Sequence, residues 1–400
     1  MSERVAVTGW GAVCAPGATV AQSMDALYAG RVPPAEPERL ATTLRERPRA
    51  FFVPAGLGRE LDAAERPLRT RSAELALVAL GEARAMAWPR GLGFEPARVG
   101  VCMGTTVGCA FNDEDFYRRY RQDRVALLEP VARYTDGDLS GTLAVAIGAQ
   151  GPALTVANAC SSGTDAIGLG ASWLRAGLCD LVVAGGADRL SRFPYLGFYA
   201  LRNSSTRDCR PFDRDRDGLN LGEGAGVLVL EREPDARRRG AEVLGLVAGY
   251  GCAADAHHAT APHPEGRGLR LAIAHALADA GLESRAVGLV NAHGTGTVHN
   301  DRVEGQALVD CLSPEVTVVA TKGYTGHTLG AAGAIEAIFA LCNLRDGRVG
   351  PSAGFATPDP ACAVVPTREP AATPARVALS TSLAFGGTNS VLVLLAGDAR

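Results

Sequence analysis

Residues 154–163 read Leu154-Thr155-Val156-Ala157-Asn158-Ala159-Cys160-Ser161-Ser162-Gly163, and Thr164-Asp165-Ala166-Ile167-Gly168 follow. The first four positions are apolar or β-branched and predict a strand over 154–157, while the pattern after the turn predicts a helix over 163–176. A strand that passes into a helix through a turn of small residues is one unit of an α/β protein. The same alternation extends outward in both directions. Strands are predicted over 5–8, 99–103, 181–184, 226–230, 243–250, 289–292, 316–320, 376–382 and 390–395. Helices are predicted over 72–87, 268–280, 303–309 and 332–345. The Pro- and Arg-rich stretch 31–67 reads as an irregular excursion. The fold class is therefore α/β.

A break at 233–240, with Pro234 and then Arg237-Arg238-Arg239-Gly240, divides the chain into halves 1–240 and 241–400. Each half opens with a strand leading into what reads as a Gly-rich turn, at 5–9 and 246–251. Each also holds a small-residue turn that feeds a long helix, at 158–163 and 323–333. The expectation is a duplicated α/β unit.

The composition narrows the function. The 400 residues carry 47% hydrophobic and 21% charged side chains, which excludes wholesale disorder. A net charge of −3 gives no reason to expect a nucleic-acid or membrane-surface partner. One lysine, Lys322, stands among 40 basic residues, and the other 39 are arginine. Arginine and lysine are not interchangeable in a tight site, so Lys322 is singled out. Ten cysteines (14, 102, 109, 160, 179, 209, 252, 311, 342 and 362) show no CxxC and no zinc-ligand spacing, so no metal site is expected. The N-terminal residues do not read as a signal peptide, and the longest uncharged run, 139–164, is broken by Gly, Pro, Gln, Asn and Ser. A cytoplasmic protein with reduced thiols is expected.

Two motifs fail on inspection. Gly9-Trp10-Gly11-Ala12-Val13-Cys14 has Cys14 where a dinucleotide fingerprint needs its third glycine. Asp213-Arg214-Asp215-Arg216-Asp217-Gly218 starts like a calcium loop but places Gly224 where the bidentate glutamate belongs, so it reads as a salt-bridged turn. Cys160 is the strongest candidate nucleophile. A thiol at a strand-to-helix turn lies near unsatisfied N–H groups, which are expected to lower its pKa by about a unit or more. Ala159, Ser161, Ser162 and Gly163 leave room for a substrate. His293, in Asn291-Ala292-His293-Gly294-Thr295-Gly296-Thr297, and His327, in Lys322-Gly323-Tyr324-Thr325-Gly326-His327, sit among Gly and Thr rather than in apolar surroundings. The other histidines (257, 258, 263, 275, 299) are assigned to surface or loop roles. One cysteine and two histidines without metal spacing point to acyl chemistry on a thiol.

Segments 158–163, 291–301, 322–336 and 384–389, with 5–17, 212–230 and 255–262, closely resemble the β-ketoacyl-acyl-carrier-protein synthases, the condensing enzymes of the thiolase fold. The elongating, type II branch is the most similar. The resemblance runs in order over almost the whole chain and implies a layered αβαβα arrangement of two duplicated halves. It implies that Cys160 takes the acyl group from a thioester on acyl carrier protein, and that His293 and His327 hydrogen-bond the carbonyl of a malonyl thioester. Loss of carbon dioxide then gives a carbanion that attacks the acyl-Cys160. The oxyanion hole is implied at the backbone N–H groups of Cys160 and Phe385. Thr295 and Thr297 match positions that touch the phosphopantetheine arm, and His258 and Thr260 match a loop at the entrance. Lys322 falls on the family's lysine, where its ammonium is expected to bridge Glu336 and backbone near His327. Arg66, Arg69, Arg71 and Arg207 fall where the family presents basic residues to the carrier. Leu383 and Ala384 stand where the family's gate carries an aromatic residue and a glycine. No bound cofactor is implied beyond the carrier-linked phosphopantetheine.

Two assemblies follow from the resemblance: a fatty-acid synthase homodimer, or the ketosynthase subunit of a type II polyketide or polyene pathway, paired with a homologous chain-length factor. A non-catalytic chain-length subunit would lack the nucleophile, which this chain keeps. A CoA-dependent thiolase would need a second cysteine in a C-terminal Cys-x-Gly turn, where Gly386-Gly387-Thr388-Asn389 stands instead.

Overall fold

The alternating apolar runs assemble into one ten-stranded mixed sheet in the computed structural model, which describes residues 3–57, 70–88, 91, 93–106, 114–124 and 138–398. Arg66, Arg69 and Cys109 lie outside the described residues. The strands of the first part of the chain are β1 (Val5–Val13), β2 (Ala50–Phe51), β3 (Val99–Gly104), β4 (Ala153–Val156), β5 (Leu181–Asp188), β6 (Leu221–Gly222) and β7 (Gly224–Arg232). Those of the second are β8 (Gly245–Ala254), β9 (Leu289–Asn291), β10 (Thr317–Val319), β11 (Arg348–Val349), β12 (Ala371–Ala372), β13 (Val377–Leu383) and β14 (Thr388–Ala396). Across the sheet the order is β10-β9-β13-β14-β8-β1-β7-β5-β3-β4, while β2 pairs with β6 and β11 with β12. Every strand expected from the sequence is one of the ten.

The sheet repeats itself about its centre. In the first half β3 pairs parallel with β4 and β5, β5 antiparallel with β7, and β7 antiparallel with β1. In the second, β9 pairs parallel with β10 and β13, β13 antiparallel with β14, and β14 antiparallel with β8. Both halves thus share one strand order and one set of directions. They join through β1 and β8, whose ladder contains only Val5↔Val247, Ala6↔Leu246 and Val7↔Gly245. The short helix Glu233–Arg238, with Pro234 in its first turn where a missing N–H costs nothing, forms the chain connection.

Helices complete the layers. Ser162–Arg175 and Ala332–Asp346 pack on each other between the half-sheets, the first against β3, β5 and β7, the second against β7, β13 and β14. Residues 332–344 are all buried, as an all-round apolar helix must be. Arg71–Ala87 covers β1 and β7 on one outer face, and Arg267–Ala280 covers β8 and β14 on the other. This is the αβαβα layering that the resemblance implies.

The expected Gly-rich turns at 5–9 and 246–251 are not turns; β1 and β8 run straight through them. A Cβ on Gly9 would lie 2.3 Å from Ala83 O, and one on Gly251 would lie 2.3 Å from Ala272 O. The glycines are there because an outer helix carbonyl touches each strand. Helices Val20–Tyr28, Glu114–Asp123, Leu139–Ile147 and Arg192–Ala200 were not legible as periodic segments. Within the 31–67 excursion, Ala50–Phe51 form β2.

Candidate active site

The small residues at 158–163 now acquire a geometry. β4 ends at Val156, and a 3₁₀ turn over Ala159–Ser161 leads into helix Ser162–Arg175. Ala159 is held at φ 48°, a left-handed value that costs a non-glycine residue of order 1 kcal/mol or more. The strain is sustained by Ser162, whose Oγ accepts from Asn158 N–H at 2.8 Å and donates to Ala159 O at 2.6 Å. The result aims the Cys160 side chain, 4% exposed, at the floor of a cavity of about 420 Å³. Cys160, His293, His327, Phe385, Thr295, Thr297 and Thr260 all line this cavity. His258 does not; it is exposed and accepts from the Thr260 N–H through Nδ1 at 3.1 Å.

His327 is fixed along both edges. Its N–H donates to Asn220 O at 2.7 Å and its carbonyl accepts from Gly222 N–H at 3.0 Å. The Leu329 N–H donates to Nδ1 at 3.2 Å, so the ring proton is on Nε2, which stands 3.1 Å from Cys160 Sγ. His327 therefore presents a donor to the sulfur and cannot act as its base in this tautomer. His293 lies edge-to-face with His327, centroids 5.3 Å apart. Lys322 Nζ reaches His293 Nδ1 at 3.2 Å, donates to His293 O at 2.6 Å and pairs with Glu336 Oε1 at 2.5 Å. An ammonium has only donors, so His293 too carries its proton on Nε2. The expectation for Lys322 is corrected in one respect: it braces His293, not the backbone near His327. The chain direction explains this, because helix Lys322–Thr325 turns the side chain inward while Gly326 redirects His327 away from it.

Electrostatics follow from burial. Both imidazoles are held well below their ordinary range, first by desolvation and then by the Lys322 charge, so both remain neutral donors. Burial also raises the Glu336 carboxyl to about 7, against the pull of Lys322. For Cys160 the sequence expectation is reversed. The thiol is pushed up to about 11, because burial outweighs the lowering by Lys322 and by hydrogen bonds from the Phe385 and Cys160 N–H groups. Both N–H groups therefore lie close to the sulfur, on the side where an oxyanion formed by attack of Sγ on a thioester carbonyl would develop.

Three residues that the sequence reading did not single out support the site. Glu304 accepts the His293 N–H at 2.7 Å and the Gly294 N–H at 2.8 Å, and Asp301 accepts the Thr295 N–H at 3.1 Å. Both face inward from helix Val298–Cys311, and their spacing of three along it was the available signal. Asp188, at the end of β5, accepts from Thr105 Oγ1, Thr106 N and Gly330 N at 2.6, 2.7 and 2.6 Å. Nothing in the sequence marks it. Phe198 stacks on Phe385 at 5.1 Å and meets the His327 edge at 6.4 Å, walling the cavity. The two described arginines of the expected carrier patch are tied up locally: Arg71 pairs with Glu74 and Arg207 with Asp217. The 213–218 turn is salt-bridged as expected, with Arg214 on Asp215 at 3.6 Å and Arg216 paired to Asp359 at 2.6 Å; in addition Asp213 accepts from the N–H groups of Asp215, Ala356 and Thr357.

A beta-ketoacyl synthase N-terminal domain profile matches residues 2–236, and the corresponding C-terminal domain profile matches residues 244–356. The chain is 37% identical over 309 residues to 3-oxoacyl-[acyl-carrier-protein] synthase 2 of Staphylococcus aureus (strain COL), covering 74% of each chain. In structure it is similar to the ishigamide ketosynthase/chain length factor, with a TM-score of 0.91 and 31% identity over 99% of this chain and 100% of that one. It is also similar to the ketosynthase ApeO in complex with its chain length factor ApeC from Xenorhabdus doucetiae, with a TM-score of 0.85 and 30% identity over 98% of both chains. With that likeness spread over the whole length and both domain profiles present, the chain belongs to the beta-ketoacyl synthase family.

Proposed function

We propose that this protein catalyses decarboxylative condensation of a malonyl thioester with an acyl group held on Cys160, both delivered by acyl carrier protein. The observation that carries the reading is one buried sulfur with His327 Nε2 3.1 Å away, His293 edge-to-face with that ring, and Phe385 lining the same cavity. In the first half-reaction Cys160 Sγ attacks the carrier thioester carbonyl. The new S–C bond forms, the carrier thiol departs with the Cys160 proton, and the two N–H groups hold the transient oxyanion. In the second, the Nε2–H groups of His293 and His327 hydrogen-bond the malonyl thioester carbonyl. The carboxylate leaves as carbon dioxide, and its electron pair becomes an enolate that those two donors stabilise. The enolate carbon then attacks the acyl-Cys160 carbonyl, the C–S bond breaks, and the released Cys160 thiolate takes a proton from solvent to give the resting thiol. Neutral imidazoles suit this role, because neither withdraws the proton it must share.

Thr295 and Thr297, whose hydroxyls lie 2.9 Å apart at the cavity wall, and Thr260 on the same cavity are the proposed contacts for the phosphopantetheine arm, with His258 outside the cavity as the acceptor that holds the Thr260 N–H. Arg207, still half-exposed in its ion pair, belongs to the proposed carrier patch with Arg66, Arg69 and Arg71. The outermost strand β4 leaves Leu154 44% exposed, beside Val145 at 84%, an apolar edge suited to a homologous partner chain. The structural likeness to ketosynthase/chain length factor pairs favours a heterodimer in polyketide or polyene synthesis over a fatty-acid homodimer. The nine described cysteines are all unpaired, which suits a reducing cytoplasmic setting; no described helix is long and apolar enough to cross a membrane. The halves 1–240 and 241–400 would then contribute the nucleophile and the histidine pair respectively.

The test is mass spectrometry of the protein after mixing with carrier-bound acyl chains, followed by malonyl carrier. Acyl mass on the Cys160 peptide, then carbon dioxide release with product, is expected. Product formation by a Cys160→Ala variant would overturn the reading.

A further inference from the structure

The nucleophile and the Phe385 N–H come from segments 225 residues apart in the chain, yet they must meet at one sulfur. Phe385 sits on the hairpin loop 384–387 between β13 and β14, closed by the Ala384 N–H to Thr388 O at 2.7 Å. Cys160 sits on the strained turn before helix Ser162–Arg175. Asp165, in the first turn of that helix and 4% exposed, joins the two segments. Its Oδ2 accepts from Asn158 Nδ2 at 2.7 Å and from Ser161 Oγ at 2.8 Å, both within the nucleophile turn. Its Oδ1 accepts from Tyr250 OH at 2.9 Å, on β8, and from Ser390 Oγ, on β14. Asn158, held by Asp165, also accepts through Oδ1 from Thr388 Oγ1 at 3.3 Å, at the foot of the Phe385 loop.

A buried carboxylate that takes four neutral donors is satisfied by geometry and constrains every donor it holds. Two of these lie on the turn that carries the sulfur and two on the sheet that carries the loop. We infer that Asp165 is a positioning residue for acyl transfer: its two oxygens set the Cys160 turn against the Phe385 hairpin, so that both N–H groups point at one oxyanion. Asp165 touches neither the thioester nor the sulfur; it acts through Asn158 and Ser161 on one side and Ser390 on the other. The inference rests on the condensing function proposed above.

The experiment exploits a chemical difference between two reactions of the same thiol. Transfer of an acyl group from a carrier thioester passes through an oxyanion, whereas alkylation by iodoacetamide displaces iodide from a saturated carbon and forms none. In Asp165→Asn the amide cannot accept all four donors. Single-turnover formation of acyl-Cys160 at saturating carrier thioester is expected to fall about 10- to 100-fold. The carrier KM should stay within about twofold and the alkylation rate within about threefold, since both lie outside the oxyanion step. Exchanging the pair, in Asp165→Asn combined with Asn158→Asp, restores an amide facing a carboxylate and is expected to recover part of the lost rate. Unchanged acylation in Asp165→Asn would overturn the inference. So would a parallel fall in acylation and alkylation together with the melting temperature, which is the signature of a purely structural role. If Asp165→Asn does not fold, Ser390→Ala deletes one hydroxyl on the hairpin side, and slower acylation with unchanged alkylation supports the proposal while unchanged acylation refutes it. If unaltered protein forms no acyl-Cys160, the condensing reading fails first, and that control separates the two failures.

Discussion

The two central helices begin in turns that are near copies of each other and do different work. In the first half, Asn158-Ala159-Cys160-Ser161-Ser162-Gly163 places Ala159 at φ 48° as the first residue of a 3₁₀ turn that leads into a buried helix. In the second half, Thr328-Leu329-Gly330-Ala331-Ala332-Gly333 places Leu329 at φ 56° as the first residue of a 3₁₀ turn that leads into a buried helix. The turns also interlock. A Cβ on Gly163 would lie 2.6 Å from Gly330 O, and one on Gly333 would lie 1.9 Å from Thr164 Oγ1. Where the first turn presents the thiol of Cys160, the second presents Gly330, whose N–H is taken by Asp188 and whose Cβ would lie 2.6 Å from Thr106 N. Its neighbour Leu329 supplies the N–H that fixes the His327 tautomer. One copy of the fold's turn became the nucleophile and the other became its brace. Duplication supplied the geometry twice, and only the side chains decided which copy reacts.

The sharpest way to break this division is to remove the thiol. Cys160→Ala should lose condensation on the order of 10⁶-fold, the scale of nucleophile loss, while its melting temperature stays near that of the unaltered protein. Residual product with normal yield would mean that the reacting group lies elsewhere. Lys322→Arg keeps the charge but replaces a compact ammonium that makes three contacts with a planar fork, and turnover should fall about 10²-fold through displacement of His293. Unaltered turnover in that variant would refute the role given to the lone lysine. On the bracing side, Gly330→Ala forces a methyl group against Thr105 and Thr106 and should cost about 1–3 kcal/mol in chemical denaturation. Its acyl transfer should fall only in proportion to the shift of Leu329. Wild-type stability would show that the second turn is no brace.

Proton linkage provides the mildest probe. His293 and His327 have depressed values in the folded protein, so above pH about 6.5 they are neutral in both states and leave stability unaffected. As pH falls below that, the unfolded chain binds protons that the native site refuses, and stability should decline. Cys160 works in the opposite sense. Its value of about 11, raised above that of an exposed thiol, means that stability is lost as pH climbs from about 8.5 toward 11. Iodoacetamide labelling of Cys160 should accordingly rise with pH to a midpoint near 11. A midpoint near 7 would show instead that amides and Lys322 outweigh burial.

Much of this was legible in the sequence because strand and helix periods are local properties. All ten strands of the main sheet and both central helices could be read from alternation and small-residue turns, and Cys160, His293 and His327 stood out against their Gly- and Thr-rich surroundings. What could not be read is what depends on contact across the sheet. Gly9, Gly11, Gly249 and Gly251 look like turn residues until an outer-helix carbonyl is found against each of them, that of Ala83, Ala79, Ala276 and Ala272 in turn. The thiol's raised value comes from enclosure by segments far apart in the chain, whereas the nearby helix start was all that sequence offered. The same holds for Asp188, whose three donors come from residues 83, 82 and 142 positions away.

The buried lysine also has a practical consequence. Lys322 is the chain's one side-chain amine and is 1% exposed, so amine-directed reagents meet no ε-amino group on the folded surface. Acylation of Lys322 by an N-hydroxysuccinimide ester would therefore occur only when the molecule opens at its centre. The residue is a built-in reporter of global opening: label on the Lys322 peptide, counted over time apart from label on the α-amine, gives the rate at which the interior of this protein is exposed to solvent.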